Sequence, residues 1–271
     1  MKAHFVTAVL AAGTALCLTP AFADPLEEQI TQAEQYYEQG DKKQSEKGFD
    51  AVLSKLAKAS SKEDQTQLAR VLNNLAVLYN ETNRNPKAEE YYKRALGLRE
   101  KLLGPNTMEV AITLNNLANL YKDQKQFDKA EPLYRRAMAI GSKLEGPESS
   151  YMAMCHFNMA SFYKSQNKLD LAVESYKKSL SIGEKVMGPD NSHVMDIVIN
   201  LAELYDEQGK TAEAKPLFMR YLKATEPLFG IKDNDPNRTE KLKKVVAEMR
   251  KDKEMIGTAD RLDKAISYQS K

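Results

Sequence analysis

The same residue types return every 42 positions through most of this chain, and this period constrains the fold more than any other feature. Five columns keep the spacing over four copies: Tyr79, Tyr121, Tyr163 and Tyr205; Ala76, Ala118, Ala160 and Ala202; Ala88, Ala130, Ala172 and Ala214; Gly104, Gly146, Gly188 and Gly230; and Leu75, Leu117, Met159 and Leu201. A period of this length is typical of chains built from stacked supersecondary units. The sequence therefore predicts a repeat architecture over this region.

Each copy is predicted to form two helices. Around Tyr79, apolar residues recur at i, i+3, i+4 and i+7, which is the spacing of one buried helix face: Leu72, Leu75, Ala76 and Tyr79. After a polar break at residues 80–87, a second apolar stripe follows: Ala88, Tyr92, Ala95 and Leu96. Gly104 and Pro105 end this helix, because glycine adopts a left-handed backbone readily and proline cannot continue a helix.

The two ends of the repeat region depart from the pattern. A degenerate copy precedes the four clear ones, with Tyr36, Gly40, Phe49 and Leu53 in roughly the right places. Residues 238–253 carry apolar residues at helical spacing on an otherwise charged segment, which favours a capping helix with one face for the core and one for water. We expect one repeat domain over residues 24–256, followed by a polar tail at 257–271, for which a frayed helix is the alternative.

The first 23 residues read as a cleaved export signal. A short polar head is followed by an apolar run at residues 5–18, and Ala21-Phe22-Ala23 fits the small-x-small pattern before a cleavage site, here ahead of Asp24. The alternatives are an uncleaved anchor, which so short a run disfavours, and lipidation at Cys17, which Leu16 disfavours. We expect an exported protein, periplasmic or secreted, whose remaining thiol, Cys155, is buried.

The repeat resembles the tetratricopeptide repeat in its 42-residue, kinesin-light-chain-like form. Residues 110–121, VAITLNNLANLY, are close to that family's first helix, and residues 130–137, AEPLYRRA, are close to its second. The resemblance covers roughly residues 27–230. It implies an all-α fold, a right-handed solenoid of about five antiparallel helix pairs, whose concave groove is lined by the first helices and commonly holds a peptide or a partner's helix.

One polar column marks the first helices: Asn74, Asn116, Asn158 and Asn200. Asparagine is a poor helix former, because its amide competes for backbone groups, so four in one column suggest a reason. An amide offers both a donor and an acceptor, and it can therefore bind a peptide backbone without reading its side chains. The alternative, weighed evenly, is that each amide bonds a neighbouring helix and stiffens the repeat.

The residues around the asparagine column predict a groove whose polarity and charge change along its length. Its early part is polar and partly basic, with Arg70, Asn73, Asn115, Asn119 and Lys122. Its later part has an apolar patch, Phe157 and Ile199, followed by acidic Glu203 and Asp206. Such a gradient would favour one ligand direction, although charges at these positions are also typical of an ordinary solvated face.

Composition and motifs argue against several other functions. Lys and Arg total 40 against 38 Asp and Glu, a formal net charge of +2, which disfavours a nucleic-acid-binding protein. Cys155 and His156 are adjacent, so on a helix they point about 100° apart and do not form a nucleophile–base pair. No zinc-protease, dithiol or phosphate-loop motif occurs in the sequence. We expect a non-catalytic protein without cofactor or metal, and without a membrane span in the mature chain.

Two functional classes follow from these observations. The first is a scaffold or adaptor that binds a peptide segment of a partner protein, in the assembly of a periplasmic complex. The second is structural, a self-assembling spacer, and a regulatory subunit of an enzyme complex is a further alternative. The sequence does not decide the oligomeric state.

Overall fold

The repeat pattern folds as α-helices throughout the described residues. The computed structural model describes residues 25–58, 60–232, 235–253 and 255–269. The helices in these ranges are α1 (Pro25–Glu38), α2 (Lys42–Leu56), α3 (Lys62–Glu81), α4 (Asn85–Leu103), α5 (Met108–Asp123), α6 (Phe127–Glu145), α7 (Ser150–Ser165), α8 (Leu169–Met187), α9 (Ser192–Glu207), α10 (Thr211–Thr225), α11 (Arg238–Met249) and α12 (Ile256–Ser267). The predicted signal peptide, residues 1–23, lies outside the described residues.

The helices pack as consecutive pairs. Each odd-numbered helix from α1 to α9 contacts the even-numbered helix that follows it, which gives the five predicted pairs and confirms the all-α repeat fold. The chain forms two compact units, whose described residues are 25–147 and 148–269. Within the first unit α2 packs on α3 and α4 on α5, and within the second α8 packs on α9.

The repeating columns form the core of the pairs. The two alanine columns are fully buried at every copy: Ala76, Ala118, Ala160, Ala202, Ala88, Ala130, Ala172 and Ala214 are each 0% exposed. An aromatic column on the even-numbered helices, Tyr92, Tyr134, Tyr176 and Phe218, is at most 1% exposed. Small side chains let paired helices approach closely, and the aromatic rings fill the space beside them.

A left-handed residue separates the helices of each pair. Asn83, Lys125 and Asn167 have φ of 59°, and Gly209 at the same place in the last copy has φ of 70°. At the other end of the even-numbered helices, Gly104, Gly146 and Gly188 have φ between 87° and 92°, as the sequence predicted. Their ψ values of 153° to 163° place them in a region that only glycine adopts easily.

Side-chain caps begin helices α3, α5, α7 and α9. Ser61, Thr107 and Ser149 each accept a hydrogen bond from the backbone N–H three residues on, and Asn191 accepts one from His193. These caps satisfy backbone donors that the first turn of a helix leaves without partners.

The C-terminal segment forms two helices, where the sequence predicts a capping helix followed by a tail or a frayed helix. Helix α11 buries Leu242, Val246 and Met249 and packs mainly on α12, which in turn packs on α10 of the last pair. The stretch interpreted as a polar tail instead forms α12, and the ring of Tyr268 stacks on Phe218 of α10 with centroids 4.4 Å apart. Its few apolar residues bury one face, so the packed structure continues beyond residue 256.

The left-handed position gives a stability prediction. Lys125 is exposed and has φ of 59°, so Lys125→Gly should raise the free energy of unfolding by about 0.5–1 kcal/mol. A side chain in this conformation costs roughly 1–2 kcal/mol, of which the greater unfolded-state freedom of glycine offsets a part. Urea unfolding followed by circular dichroism measures the change.

The matched control is the reverse substitution in the last copy. A Cβ at Gly209 would meet no atom within 4 Å, so Gly209→Lys introduces backbone strain without a clash. It should lower the free energy of unfolding by about 1 kcal/mol. A destabilised Lys125→Gly would contradict the assignment of strain to this turn.

Candidate peptide-binding face

Helices α3 and α5 of the first unit, and α7 and α9 of the second, each carry one residue of the asparagine column. We call these residues the asparagine face: Asn74, Asn116, Asn158, Asn200 and the residues three and six positions further along each helix. Asn74, Asn116 and Asn158 are 4%, 7% and 6% exposed, and Asn200 is half-buried. Buried amides need hydrogen-bond partners, so the partners decide what each one does.

Asn74 bonds within the chain. Its Nδ2 donates to Oε1 of Glu34 on α1 at 2.9 Å, and Arg70 donates from Nε to the same oxygen at 2.8 Å. Arg70 also donates to Glu27 at 2.7 Å. Glu34 is only 8% exposed, so this network holds α3 against α1. At this copy the structure supports the stiffening role of the amide.

The Arg70 guanidinium is held in its charged form by the two carboxylates. Burial works against the charge, but the hydrogen bonds from Arg70 to Glu34 and Glu27 raise the pKa of Arg70 above its usual value. The basic character expected at this position is therefore neutralised inside the first unit.

Asn200 also has partners within the chain. Its Nδ2 donates to the backbone oxygen of Asp196 at 2.6 Å, and its Oδ1 accepts from Arg261 of α12 at 3.3 Å. Arg261 pairs with Glu203 at 3.2 Å, and Lys264 pairs with Asp206 at 2.6 Å. The predicted acidic exit is thus covered by the basic side chains of α12.

The remaining polar residues of the predicted groove are largely enclosed. Asn73, Asn115 and Asn119 are 5%, 2% and 8% exposed. The Asn119 Oδ1 accepts a hydrogen bond from the Tyr134 hydroxyl at 2.6 Å, which ties α5 to its paired helix α6. Lys122 lies 3.4 Å from the carboxylate of Asp123. These residues lie on the odd-numbered helices as predicted, and their role in binding stays a prediction.

The expected apolar patch is not open surface. Phe157 is 4% exposed and Ile199 is 0% exposed. The Phe157 ring meets Tyr176 of the paired helix edge to face, with centroids 5.4 Å apart. Both side chains belong to the core in this structure, because α7 and α9 bury residues around most of their circumference.

Sequence reasoning missed a buried arginine, Arg99 near the end of α4. It is 8% exposed, and its Nη1 donates to the backbone oxygen of Glu109 at 2.8 Å and to Thr113 Oγ1 at 2.6 Å. Burial lowers the pKa of Arg99 to about 10, which Glu109 opposes and Arg70 reinforces. The sequence signal that could have found it is a departure from the repeat, because the next two copies have glycine, Gly141 and Gly183, where this copy has Arg99.

The described residues offer hydrogen bonding and charge rather than reactive groups. Within the part of the chain that the structure describes, no group of three or more His, Cys, Asp or Glu side chains could hold a metal ion. Cys155 is buried, as expected. None of the described helices is both long enough and apolar enough to span a bilayer.

The network around Glu34 gives a second stability prediction. Glu34→Ala should lower the free energy of unfolding by about 2–3 kcal/mol, because it leaves Asn74 and Arg70 without their shared acceptor. Chemical unfolding monitored by circular dichroism measures the loss.

A matched control tests whether burial is the cause. Glu131 pairs with Arg135 at 2.7 Å on an exposed helix surface, so Glu131→Ala should cost at most about 0.5 kcal/mol. Equal losses for the two variants would show that the Glu34 network contributes no more than a surface pair.

Comparisons with known proteins agree with this architecture. The family model described as Tetratricopeptide repeat matches residues 28–101, 67–143, 109–185 and 151–226. None of the curated proteins compared with the chain gives a match.

Solved structures share the fold. BtubC (BKLC) from P. vanneervenii is 26% identical, with 78% of this chain and 86% of that chain covered and a TM-score of 0.64. A Podospora anserina structure described as a kinesin light chain with nearly identical TPR-like repeats is 19% identical, with coverage of 77% and 99% and a TM-score of 0.60. A Rap protein complexed with Competence and Sporulation Factor is 15% identical, with coverage of 92% and 67% and a TM-score of 0.67.

The matched segments of the family model together extend from residue 28 to residue 226, which is well over half of the chain. Five helix pairs, four of which contain the buried alanine and aromatic columns, agree with that match. This chain belongs to the tetratricopeptide repeat family.

Proposed function

We propose that this protein is a non-catalytic adaptor that binds a peptide segment of a partner protein on its asparagine face, in the concave groove that its family implies. Tetratricopeptide repeat proteins typically mediate protein–protein interactions. The proposal specifies that the partner binds on the asparagine face, that the bound part is a peptide segment, and that binding takes place in an exported compartment.

The observation that carries the proposal is the seating of α12 on α9. A segment of the same chain lies against the asparagine face and is held by an amide and two carboxylates, Asn200, Glu203 and Asp206. This contact supports the idea that the face accepts a peptide segment through polar side chains at i, i+3 and i+6. The same spacing places Asn116, Asn119 and Lys122 on α5, and Asn158, Ser161 and Lys164 on α7.

The preformed repeat favours binding of a flexible segment. Each helix pair is fixed by buried columns, so the ligand alone loses conformational entropy when it binds. Amide side chains can bond the ligand backbone, which makes affinity tolerant of ligand sequence. A ligand held in this way is an extended or helical segment rather than a small molecule.

We place this activity in an exported compartment, as part of the assembly of a periplasmic complex. The support is the N-terminal sequence, with an apolar run at residues 5–18 and Ala21-Phe22-Ala23 before Asp24. Cleavage there would give a mature chain that starts at Asp24.

Site-specific photo-crosslinking in the native cells tests the proposal. A photoreactive amino acid at Ser161, three residues after Asn158 on α7, should crosslink one contiguous segment of a partner protein. Asn158→Ala in the same chain should reduce the crosslink yield several-fold. Mass spectrometry of the product identifies the segment and also reads the N-terminus of the exported chain.

The control is the same amino acid at Lys178 on α8, an exposed side chain that pairs with Glu174 at 2.8 Å. Crosslinks from position 178 alone would move binding to another surface and overturn the proposal. Crosslinks from position 161 only to copies of this chain would favour the self-assembling alternative.

A further inference from the structure

The asparagine face carries a different charge at α9 than at α5 and α7. Three and six positions after the column residue, α5 and α7 each have a neutral polar residue and a lysine, whereas α9 has two carboxylates. These residues are Asn119 and Lys122, Ser161 and Lys164, and Glu203 and Asp206. The earlier copies build the same helix without acidic residues here, so the fold of the repeat does not require them. The α9 part of the face therefore favours a positively charged ligand.

Helix α12 meets these carboxylates with basic and aromatic side chains from one of its faces. Arg261 Nε lies 3.2 Å from Glu203 Oε1. Lys264 Nζ lies 2.6 Å from Asp206 Oδ2, and the hydroxyl of Tyr268, at the end of α12, donates to the other oxygen of that carboxylate. The three contacting residues are at i, i+3 and i+7, the spacing of one helix face. We call this pattern, two basic residues three apart and an aromatic residue four further on, the basic–aromatic motif.

Helix α12 is also held by contacts with α11 that do not involve α9. Arg250, directly after α11, donates from Nη2 to Asp260 at 3.1 Å and to Asp263 at 2.9 Å. Thr239 of α11 donates to Gln269 at 2.9 Å, and the two helices pack on each other along their lengths. These contacts do not depend on α9, so α11 and α12 can stay together as a pair if α12 leaves it.

The contacts between α12 and α9 are of a kind that a competing segment can replace. In both ion pairs the basic side chain and the carboxylate are partly exposed, and such pairs contribute little to stability because water competes for the charges. The remaining contact is apolar. Tyr268 stacks on Phe218, which is 0% exposed, so a segment that replaces α12 must bring an aromatic ring of its own to keep Phe218 from water.

We propose that the surface formed by Glu203, Asp206 and Phe218 binds a helical segment of a partner protein that carries the basic–aromatic motif, and that this segment displaces α12. This inference rests on the proposed function and adds the chemistry of the ligand at the second unit. The two basic residues of the ligand pair with the two carboxylates, and its aromatic ring covers Phe218. Until such a segment binds, α12 occupies the surface and excludes segments that match it less well.

Weakening the hold of α12 should open the surface to a peptide. The probe is a fluorescein-labelled peptide of residues 256–269, which carries the motif in its native sequence. The chain with Arg261→Glu and Lys264→Glu places carboxylates opposite Glu203 and Asp206, so it should bind the probe about ten-fold more tightly than the unmodified chain does. Fluorescence anisotropy measures both affinities. A probe with glutamate at the two basic positions should lose this binding.

The control variant makes the same change of charge on α8, with Lys178→Glu and Lys185→Glu. Both lysines are exposed and pair with carboxylates away from α12, so probe affinity should stay within about two-fold of the unmodified chain. An equal gain in the two variants would show general attraction of charge and would overturn the inference. Circular dichroism checks that the α12 variant is folded, and the milder Arg261→Gln with Lys264→Gln should give a smaller gain of the same sign.

Amide hydrogen exchange separates displacement of α12 from binding elsewhere. In the ¹⁵N-labelled unmodified chain, saturating unlabelled peptide should make the amides of residues 256–267 exchange several-fold faster and leave those of α7 unchanged, because α12 alone loses its place. Unchanged exchange in α12 would show that it is a fixed cap and would overturn the inference. A partner that still crosslinks from position 161 in that case would leave the proposed function standing.

Discussion

The close approach of paired helices is the constraint on which the rest of the repeat depends. Ala76 on α3 and Ala88 on α4 belong to the two packed helices of the first clear pair, and both are fully buried. A larger side chain at either place would push the helices apart and leave the neighbouring aromatic ring, Tyr92, without close contacts. Because the same two columns recur in every later copy, one small side chain per helix sets the geometry of each pair.

Much of this fold could be predicted from the sequence, because the same residue types recur at the same positions of several copies, and each copy supports the helix assignment of the others. The helix pairs, the glycine stops and the capping helix all followed from residues that recur or alternate with helical spacing. For the stretch that forms α12 the sequence leaves a helix and a tail as alternatives, because the segment occurs once and its apolar residues are few. The division into two units has no counterpart in the repeat pattern.

The candidate site was predicted in position but not in its contacts. The asparagine column does lie on the odd-numbered helices, but Asn74 bonds Glu34, which belongs to the degenerate first copy where the period fails. The sequence pattern predicts Phe157 and Ile199 as surface residues, because it does not show how many sides of a helix its neighbours cover. Arg99 stands where the next two copies have glycine, so a prediction that follows recurring residues passes over this position.

Each unit covers part of the asparagine face with its own residues. In the first unit Glu34 meets Asn74 and Arg70, and in the second Arg261 meets Asn200 and Glu203. A terminal repeat lacks a neighbour on one side, so its polar groups must find partners from outside the regular pattern. The residues that supply those partners are the ones that the repeat does not specify.

The stacking of Tyr268 on Phe218 covers the apolar end of the last helix pair. Phe218 occupies the aromatic column that in earlier copies is fully enclosed, and α12 is the element that encloses it here. Without α12 the last pair would end in an apolar surface of the kind that another helix pair normally covers. Helix α12 therefore does for the last pair what the next repeat does for the earlier ones: it keeps the apolar face of that pair from water.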